Sequence, residues 1–291
     1  MRIGLICNPT AGGGKGAGAG QAARARLKAQ GHDVVLANTG CLGHGTALAR
    51  DLAGSCDAVV VVGGDGSVNE VANGLAESGV PLGVIPAGTI NVLASELGLP
   101  FALDRACGII SAGRTTPVDM GVADGRYFLL MAGAGVDALT IRELDSNAKR
   151  RFRELAFVWT GLRVFGRYRP PTFKVTVDGL ENRATFAVFG NFRSYAGRWF
   201  GISLHADPTD GLLDAVLFDG SGWLTNAMFW MEVPMKLHLR RSDVTYLRGT
   251  RFELELLDAD DEVWLQTDGE IAGPLPMRVE VRSRALEIFV P

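Results

Sequence analysis

The sequence predicts two domains: an N-terminal doubly wound parallel-sheet α/β domain over residues 1–120 and a C-terminal antiparallel β-sandwich-like domain over 121–291. Three observations carry this. Short apolar strands alternate with helical patterns up to about residue 120, the order that builds a parallel sheet covered by helices. The run Val59–Val62 is continuously β-branched, as suits a strand buried on both faces. Beyond Val118 the alternation gives way to closely spaced strand patterns with few helical segments.

In order, the apolar stretch Ile3–Cys7 predicts a first strand, Lys15–Gln30 a helix, Val34–Ala37 a strand and His44–Leu52 a helix. Ala58–Val62 is the third strand, a helix starts after Gly66, and Leu82–Ile85 is the fourth strand. Two helices near Asn91–Leu97 and Leu103–Ser111 complete the domain. The second half reads as strands at Tyr127–Met131, Phe173–Val177, Thr185–Phe189, Leu213–Phe218, Phe252–Leu257, Val263–Gln266 and Leu286–Val290. Helical stretches near Ile141–Phe165 and Trp223–Met235 interrupt them.

Length and composition set bounds on function. At 291 residues there is chain enough for two ordinary cores. A formal net charge of −3 gives no general basic footprint for nucleic acid. Cys7, Cys41, Cys56 and Cys107 show no paired spacing for zinc or a disulfide framework. The chain opens on a strand pattern and contains no apolar run of the roughly 18 residues that would span a bilayer. A soluble, cytoplasmic protein is expected. The four histidines are scattered and no Gly-x-Ser-x-Gly elbow occurs, which argues against a Ser/His/Asp hydrolase.

The most informative motif follows Val62: Gly63-Gly64-Asp65-Gly66-Ser67-Val68-Asn69. Glycines at the end of a buried strand let backbone N–H groups approach phosphate oxygens, and Asp65 stands where Mg2+ would sit. In the helix that follows, Val68, Val71, Ala72 and Leu75 share a packing face, while Asn69 and Asn73 share another that points at ligand. A plain strand–turn–helix joint is the other reading of this segment. The loop Asn8–Gly16 follows the first strand but lacks a P-loop pattern at two positions, Pro9 and Gly16. It matches a dinucleotide pattern only loosely, and could equally be a flexible turn that starts a helix. Pro86–Asn91 again places a small polar turn after a strand, where Thr89 either donates to a phosphate or caps the helix. Thr267-Asp268-Gly269-Glu270 offers two carboxylates around a tight turn, one of which could accept a proton from an attacking hydroxyl. Asp207–Asp214 clusters oxygen ligands that either wrap a hard cation or form an acidic surface turn. Arg142–Arg169 carries eight basic residues against three acidic ones. Its apolar stripe suits an anionic membrane surface or a core-packed helix with a solvated basic side.

Together, Gly63–Gly74, Pro86–Asn91, Asp207–Asp214 and Asp268–Glu270 resemble the diacylglycerol kinase catalytic-domain family, specifically its soluble bacterial lipid kinases, over nearly the whole chain. The resemblance implies Mg2+-assisted phosphoryl transfer from ATP to a lipid hydroxyl in an interdomain cleft, and the basic amphipathic 142–169 segment would suit a substrate held in a membrane. It implies nucleotide contacts from Asn8, Thr39, Gly63, Gly64, Asp65, Gly66, Ser67, Val68, Asn69, Thr89 and Asn91, with Asp65 as central acid. It implies Glu270, helped by Asp268, as the base, and a structural Mg2+ site at Asp207, Asp210 and the Leu212 carbonyl. Such chemistry needs positioning and charge neutralisation more than covalent steps. Ser67 replaces a usual Thr, keeping the hydroxyl, and Val92 stands where many relatives have Asp, removing a carboxylate. The rivals are an NAD kinase, whose family shares a Gly-Gly-Asp-Gly turn, and a nucleotide- or lipid-binding regulator without turnover. A homodimer is the default state for such an enzyme.

Overall fold

The structure is a computed structural model and describes residues 1–143, 171–195, 197 and 200–291. Most of the predicted Ile141–Phe165 helix and of the basic 142–169 segment lies outside the described residues. The chain forms two compact units: Met1–Met120 with Arg282–Pro291, and Gly121–Val281.

In the first unit, β1 (Arg2–Cys7), β2 (Asp33–Asn38), β3 (Ala58–Gly63) and β4 (Leu82–Pro86) form a parallel sheet in the order β2-β1-β3-β4. All six residues of β3 are buried because helices cover both faces. Alternate residues of β1 show the division. Leu5 and Ile3 pack with Ala23 and Leu27 of α2 (Gly16–Ala29) and with Cys107 and Ile110 of α6 (Leu103–Ala112). Gly4 points the other way, and a Cβ there would lie 3.0 Å from Leu52 of α3 (His44–Ala53). On that side α3 meets α4 (Asp65–Leu75) at Gly74, where a Cβ would be 2.5 Å from the Thr46 carbonyl oxygen. Between β1 and α2 the Gly-rich loop makes one irregular helical turn, α1 (Ala11–Gly14); α5 (Val92–Glu96) follows β4.

On sequence alone, all of 121–291 falls in the second domain. Residues Arg282–Pro291 instead group with the first 120, since Ile288 pairs in parallel with Leu82 of β4 and the Arg284 N–H donates to Asp119 Oδ1 at 2.7 Å. The expected strand Leu286–Val290 is the end of a longer strand, β16 (Met277–Phe289), whose first residues belong to the second unit.

β5 (Thr115–Ala123) runs from the first unit into the second, where Gly121–Ala123 pair with β6 (Arg126–Phe128). The second unit is antiparallel. One sheet runs β12-β11-β10-β7-β14-β15, built from β7 (Met131–Ala134), β10 (Phe186–Gly190), β11 (Leu213–Phe218), β12 (Val244–Gly249), β14 (Trp264–Thr267) and β15 (Glu270–Pro274). Facing it are the start of β16, β13 (Arg251–Leu256), β8 (Phe173–Val177) and β9 (Leu180–Ala184). Their shared core includes Phe189 and Phe252, with ring centroids 5.0 Å apart. Strands β8 and β13 alternate between buried and more exposed positions, whereas β10 and β11 are buried throughout. The cause is α8 (Trp223–Glu232), whose Phe229 stacks on Phe218 at 4.5 Å and covers the outer face of those two strands. The predicted strand Tyr127–Met131 is two strands, β6 and β7, divided at Leu129–Leu130; helix α7 (Val136–Glu143) follows β7.

Candidate phosphate-binding turns and a candidate acid–base turn

In the first unit the turns after β1, β3 and β4 are knitted into one surface at the carboxyl ends of the strands. Asn8 begins this. Its Oδ1 accepts from the Thr10 backbone N–H at 3.0 Å and the Thr10 hydroxyl at 2.8 Å, while its Nδ2 donates to Ser67 Oγ at 2.9 Å. The Gly-rich loop is thereby fastened to the turn after β3. Gly12, at φ +58°, approaches so closely that a Cβ would lie 2.6 Å from the Ala87 carbonyl oxygen. A Cβ on Gly88 would lie 2.5 Å from the Gly64 Cα, so backbone meets backbone between the turns after β3 and β4. Such side-chain-free surfaces let amide groups reach an anion, and the first turn of α4 leaves N–H groups without intrahelical acceptors.

Asp65 opens α4 and projects towards the start of α5, with Oδ1 3.4 Å from the Leu93 nitrogen. Burial raises its pKa above the usual carboxylate value, and the amides of Leu93, Val92, Asp65 and Asn91 pull the other way. The group is a partly desolvated carboxylate among backbone donors, suited to meeting a cation. Val92 is itself buried, so position 92 offers Asp65 a backbone N–H and no charge. Asn91 holds φ +51° and closes a ring with Gly88, accepting its N–H at 3.0 Å and donating to its carbonyl at 2.8 Å.

Of the predicted nucleotide contacts, Asn8, Gly63, Gly64, Asp65, Ser67 and Asn91 form this connected set, with Gly66 and Thr89 exposed. Thr39 follows β2, its N–H bonded to the Cys7 carbonyl at 2.9 Å. Val68 and Asn69 are buried in α4, and Asn69 Oδ1 accepts from Asn73 Nδ2 at 2.9 Å. The asparagine pair expected to point at ligand therefore bonds to itself along the helix.

In the second unit Asp268 and Gly269 form a left-handed turn, at φ +47° and +85°, between β14 and β15. The Asp268 carboxylate accepts the N–H groups of Leu129, Leu130 and Met131 at 2.7, 2.9 and 3.0 Å. Its role is thus to anchor the turn. Glu270, about one-third exposed, is ion-paired through Oε2 with Arg126 of β6, whose other terminal nitrogen reaches the Ile271 carbonyl at 3.5 Å. Sequence reasoning missed Arg126, because nothing in its spacing joins it to a residue 144 positions later.

The Asp207–Asp214 segment is a turn held by its own side chains. Asp207 Oδ1 accepts from the Thr209 N–H and hydroxyl at 3.0 and 2.7 Å, and Asp210 Oδ1 accepts from the Leu212 N–H at 3.0 Å. Arg248 occupies the other oxygen of Asp210 and also reaches Asp214 at 3.3 Å. Among the described residues no group of three His, Cys, Asp or Glu side chains gathers as a metal site. Arg248 thus takes the Asp210 oxygen that a divalent cation at Asp207, Asp210 and the Leu212 carbonyl would use.

The chain is thus a parallel-sheet unit with glycine-lined turns and an antiparallel unit bearing a carboxylate turn. The chain belongs to the diacylglycerol kinase catalytic-domain family. The diacylglycerol kinase catalytic domain matches residues 2–123, and the YegS C-terminal NAD kinase beta sandwich-like domain matches 131–290. A diacylglycerol kinase of Mycobacterium tuberculosis is 31% identical, covering 100% of this chain and 95% of its own length. One from Bacillus subtilis is 26% identical over 100% and 96%. A crystal structure from Bacillus anthracis assigned as a diacylglycerol kinase superimposes with TM-score 0.81 at 25% identity, covering 100% of this chain and 95% of that one. This is a lipid kinase family, and kinase activity is what its members' names record. No helix among the described residues is long and apolar enough to cross a membrane.

Proposed function

We propose that this chain transfers the γ-phosphoryl group of ATP, with Mg2+, to the hydroxyl of a diacylglycerol-like lipid. The observation that carries the reading is the union of three turns around Asp65 at the ends of parallel strands, in a member of a lipid kinase family. ATP with its Mg2+ supplies the electrophilic phosphorus and neutralises part of its charge. The backbone of Gly63 to Asn69, with Asn8, Thr39, Thr89 and Asn91, holds the phosphates, and Asp65 faces the cation. Glu270 accepts the proton of the acceptor hydroxyl, and Asp268 helps by fixing the turn from which Glu270 projects. A structural Mg2+ at Asp207, Asp210 and the Leu212 carbonyl would have to displace Arg248. A lipid acceptor brings the chain to a membrane surface, for which the basic 142–169 segment is the sequence feature assigned.

The test is ADP formation by the purified protein with ATP, Mg2+ and separate acceptors: diacylglycerol, phosphatidylglycerol, a sphingoid base and NAD. The expected result is turnover that requires a lipid and disappears in Asp65→Ala and Glu270→Ala. Turnover on NAD alone would make the chain an NAD kinase. ATP binding with no turnover on any acceptor would make it a regulator.

A further inference from the structure

Beneath the turn that carries Glu270 lies a buried polar chain whose members are far apart in sequence. Gln266, fully buried on β14, accepts the Gly269 N–H through Oε1 at 2.8 Å. Its Nε2 donates to Asp137 Oδ2 at 3.0 Å. Asp137 is buried at the start of α7. The same Oδ2 accepts from the Tyr195 hydroxyl at 3.1 Å, and Oδ1 accepts the Ala138 N–H at 2.6 Å. Gly133, paired with Gln266 across β7 and β14, supplies the room. A Cβ there would lie 2.0 Å from Asp137 Oδ2 and 2.8 Å from Gln266 Nε2.

The chemistry of the chain fixes its direction. An ionised carboxylate only accepts hydrogen bonds, so the Gln266 amide must turn its NH2 to Asp137 and its carbonyl to Gly269. Were the amide reversed, its NH2 would face the Gly269 N–H, donor against donor, at a part-buried bond. Gly269 and Asp268 hold left-handed backbone conformations, and Glu270 follows them directly. The turn is therefore clamped twice: by the Asp268 carboxylate on the Leu129–Met131 amides, and by Asp137 acting through Gln266. Nothing in the established family assignment requires the second clamp.

We propose that Asp137 is a positioning residue for phosphoryl transfer: through the Gln266 amide it sets the turn that presents Glu270. The proposal rests on the reading of Glu270 as proton acceptor. Misplacing a reacting group by about 1 Å costs up to about 100-fold in rate, so loss of the clamp acts on kcat.

The test uses the full chain with ATP, Mg2+ and diacylglycerol in detergent micelles, and four proteins: wild type, Asp137→Asn, Gln266→Glu and the double variant. In Asp137→Asn the new NH2 group confronts a donor whichever way it turns, the Gln266 NH2 or the Ala138 N–H; in Gln266→Glu two carboxylates confront each other. In the double variant the introduced carboxylate at position 266 accepts from both the Gly269 N–H and the introduced amide at position 137. That amide also donates to the Tyr195 oxygen. Each single variant is expected to lose about 10- to 100-fold in kcat with KM for ATP within about twofold, and the double variant to regain at least about tenfold. The Gly269 amide resonance in 15N-labelled protein should shift in Asp137→Asn and return in the double variant, a readout that does not depend on the acceptor. Tyr195→Phe, which removes one donor and no charge, serves if the single variants fail to fold, with an expected kcat loss of about threefold at unchanged KM. Unchanged kcat in Asp137→Asn, or in Tyr195→Phe where the single variants do not fold, overturns the proposal. So does a double variant no better than the poorer single one. If wild type shows no lipid-dependent turnover, or Glu270→Gln keeps full activity, the reading of Glu270 fails and the catalytic proposal falls with it. The Gly269 resonance then still reports whether the clamp itself exists.

Discussion

Asp65 Oδ1 lies 3.4 Å from the Leu93 nitrogen, so the carboxylate that follows β3 sits over the start of α5, which follows β4. One side chain thereby joins two of the turns assigned to the nucleotide, and its burial has a thermodynamic consequence.

Burial raises the Asp65 pKa, so the protonated form is the one the fold favours, and this contribution is lost as pH rises through the folded-state value. Asp65→Asn keeps an oxygen for the Leu93 N–H and discards the charge. The expected outcome is a melting temperature at pH 8 equal to or above wild type, with the advantage shrinking in acid, together with a loss of kcat of about 100-fold or more. Thermal melts across pH and steady-state kinetics check both halves. A variant less stable than wild type at pH 8 would contradict the assignment of a desolvated carboxylate.

Gly88→Ala tests the contact between turns. Its Cβ would meet the Gly64 Cα at 2.5 Å and Asn91 Oδ1 at 2.8 Å, and neither backbone can yield without moving a strand end. We expect ATP affinity by calorimetry to fall more than about tenfold and stability to drop by about 1–3 kcal/mol in urea. Gly66→Ala is the stability control. Nothing lies within 4 Å of its Cβ, and alanine in α4 should change stability by less than about 1 kcal/mol, in the favourable direction.

Arg126 holds Glu270 by an ion pair on a partly exposed surface, so its energetic value for folding is small. Arg126→Met should cost less than about 1 kcal/mol of stability, yet lower kcat about tenfold because Glu270, the proposed proton acceptor, loses its orientation. Glu270→Gln should lower kcat by about 100-fold or more with ATP binding intact. A large fall in ATP affinity in either variant would move Glu270 from acid–base chemistry to nucleotide binding.

Burial pushes the Asp137 carboxyl up to about 6, against the donors Gln266, Ala138 and Tyr195. A raised carboxyl value means stability that is present in acid and lost as pH rises through about 6. The loss amounts to about 3 kcal/mol between roughly pH 4 and 6. Asp137→Asn cannot titrate. Urea midpoints measured across that range should therefore fall more steeply with pH in wild type than in the variant, and parallel profiles would refute the attribution.

The turn Gly63–Asp65, the covered strand before it and the helix after it were legible in the sequence. Their signals are local: a β-branched run, glycines and helical spacing within about twenty residues. The change of texture near residue 120 was legible for the same reason, since pattern length distinguishes helix from strand without reference to partners. What Asn69, Asp210 and Asp268 touch was not. Asn69 turns to Asn73, Asp210 is held by Arg248, and Asp268 spends its carboxylate on three backbone amides. Each lies in a motif whose polar character is plain from the residues, but spacing does not say which neighbour a side chain finds. Asp137 and Gln266 were missed altogether, although the glycines at 133 and 135 before Asp137 and the position of Gln266 just ahead of the Thr-Asp-Gly-Glu turn were available as signals.

The order of amino acids is enough to specify the two-part architecture and the family, because turn chemistry and hydrophobic period act over short stretches of chain. It took the assembled fold to return Arg282–Pro291 to the first unit, to bring Arg126 to Glu270 and to bring Gln266 to Asp137. Those contacts span more than a hundred residues. They are set by strand register and, for Gln266 and Asp137, by the need of buried polar atoms for complementary partners, and neither condition exists until the sheets have formed.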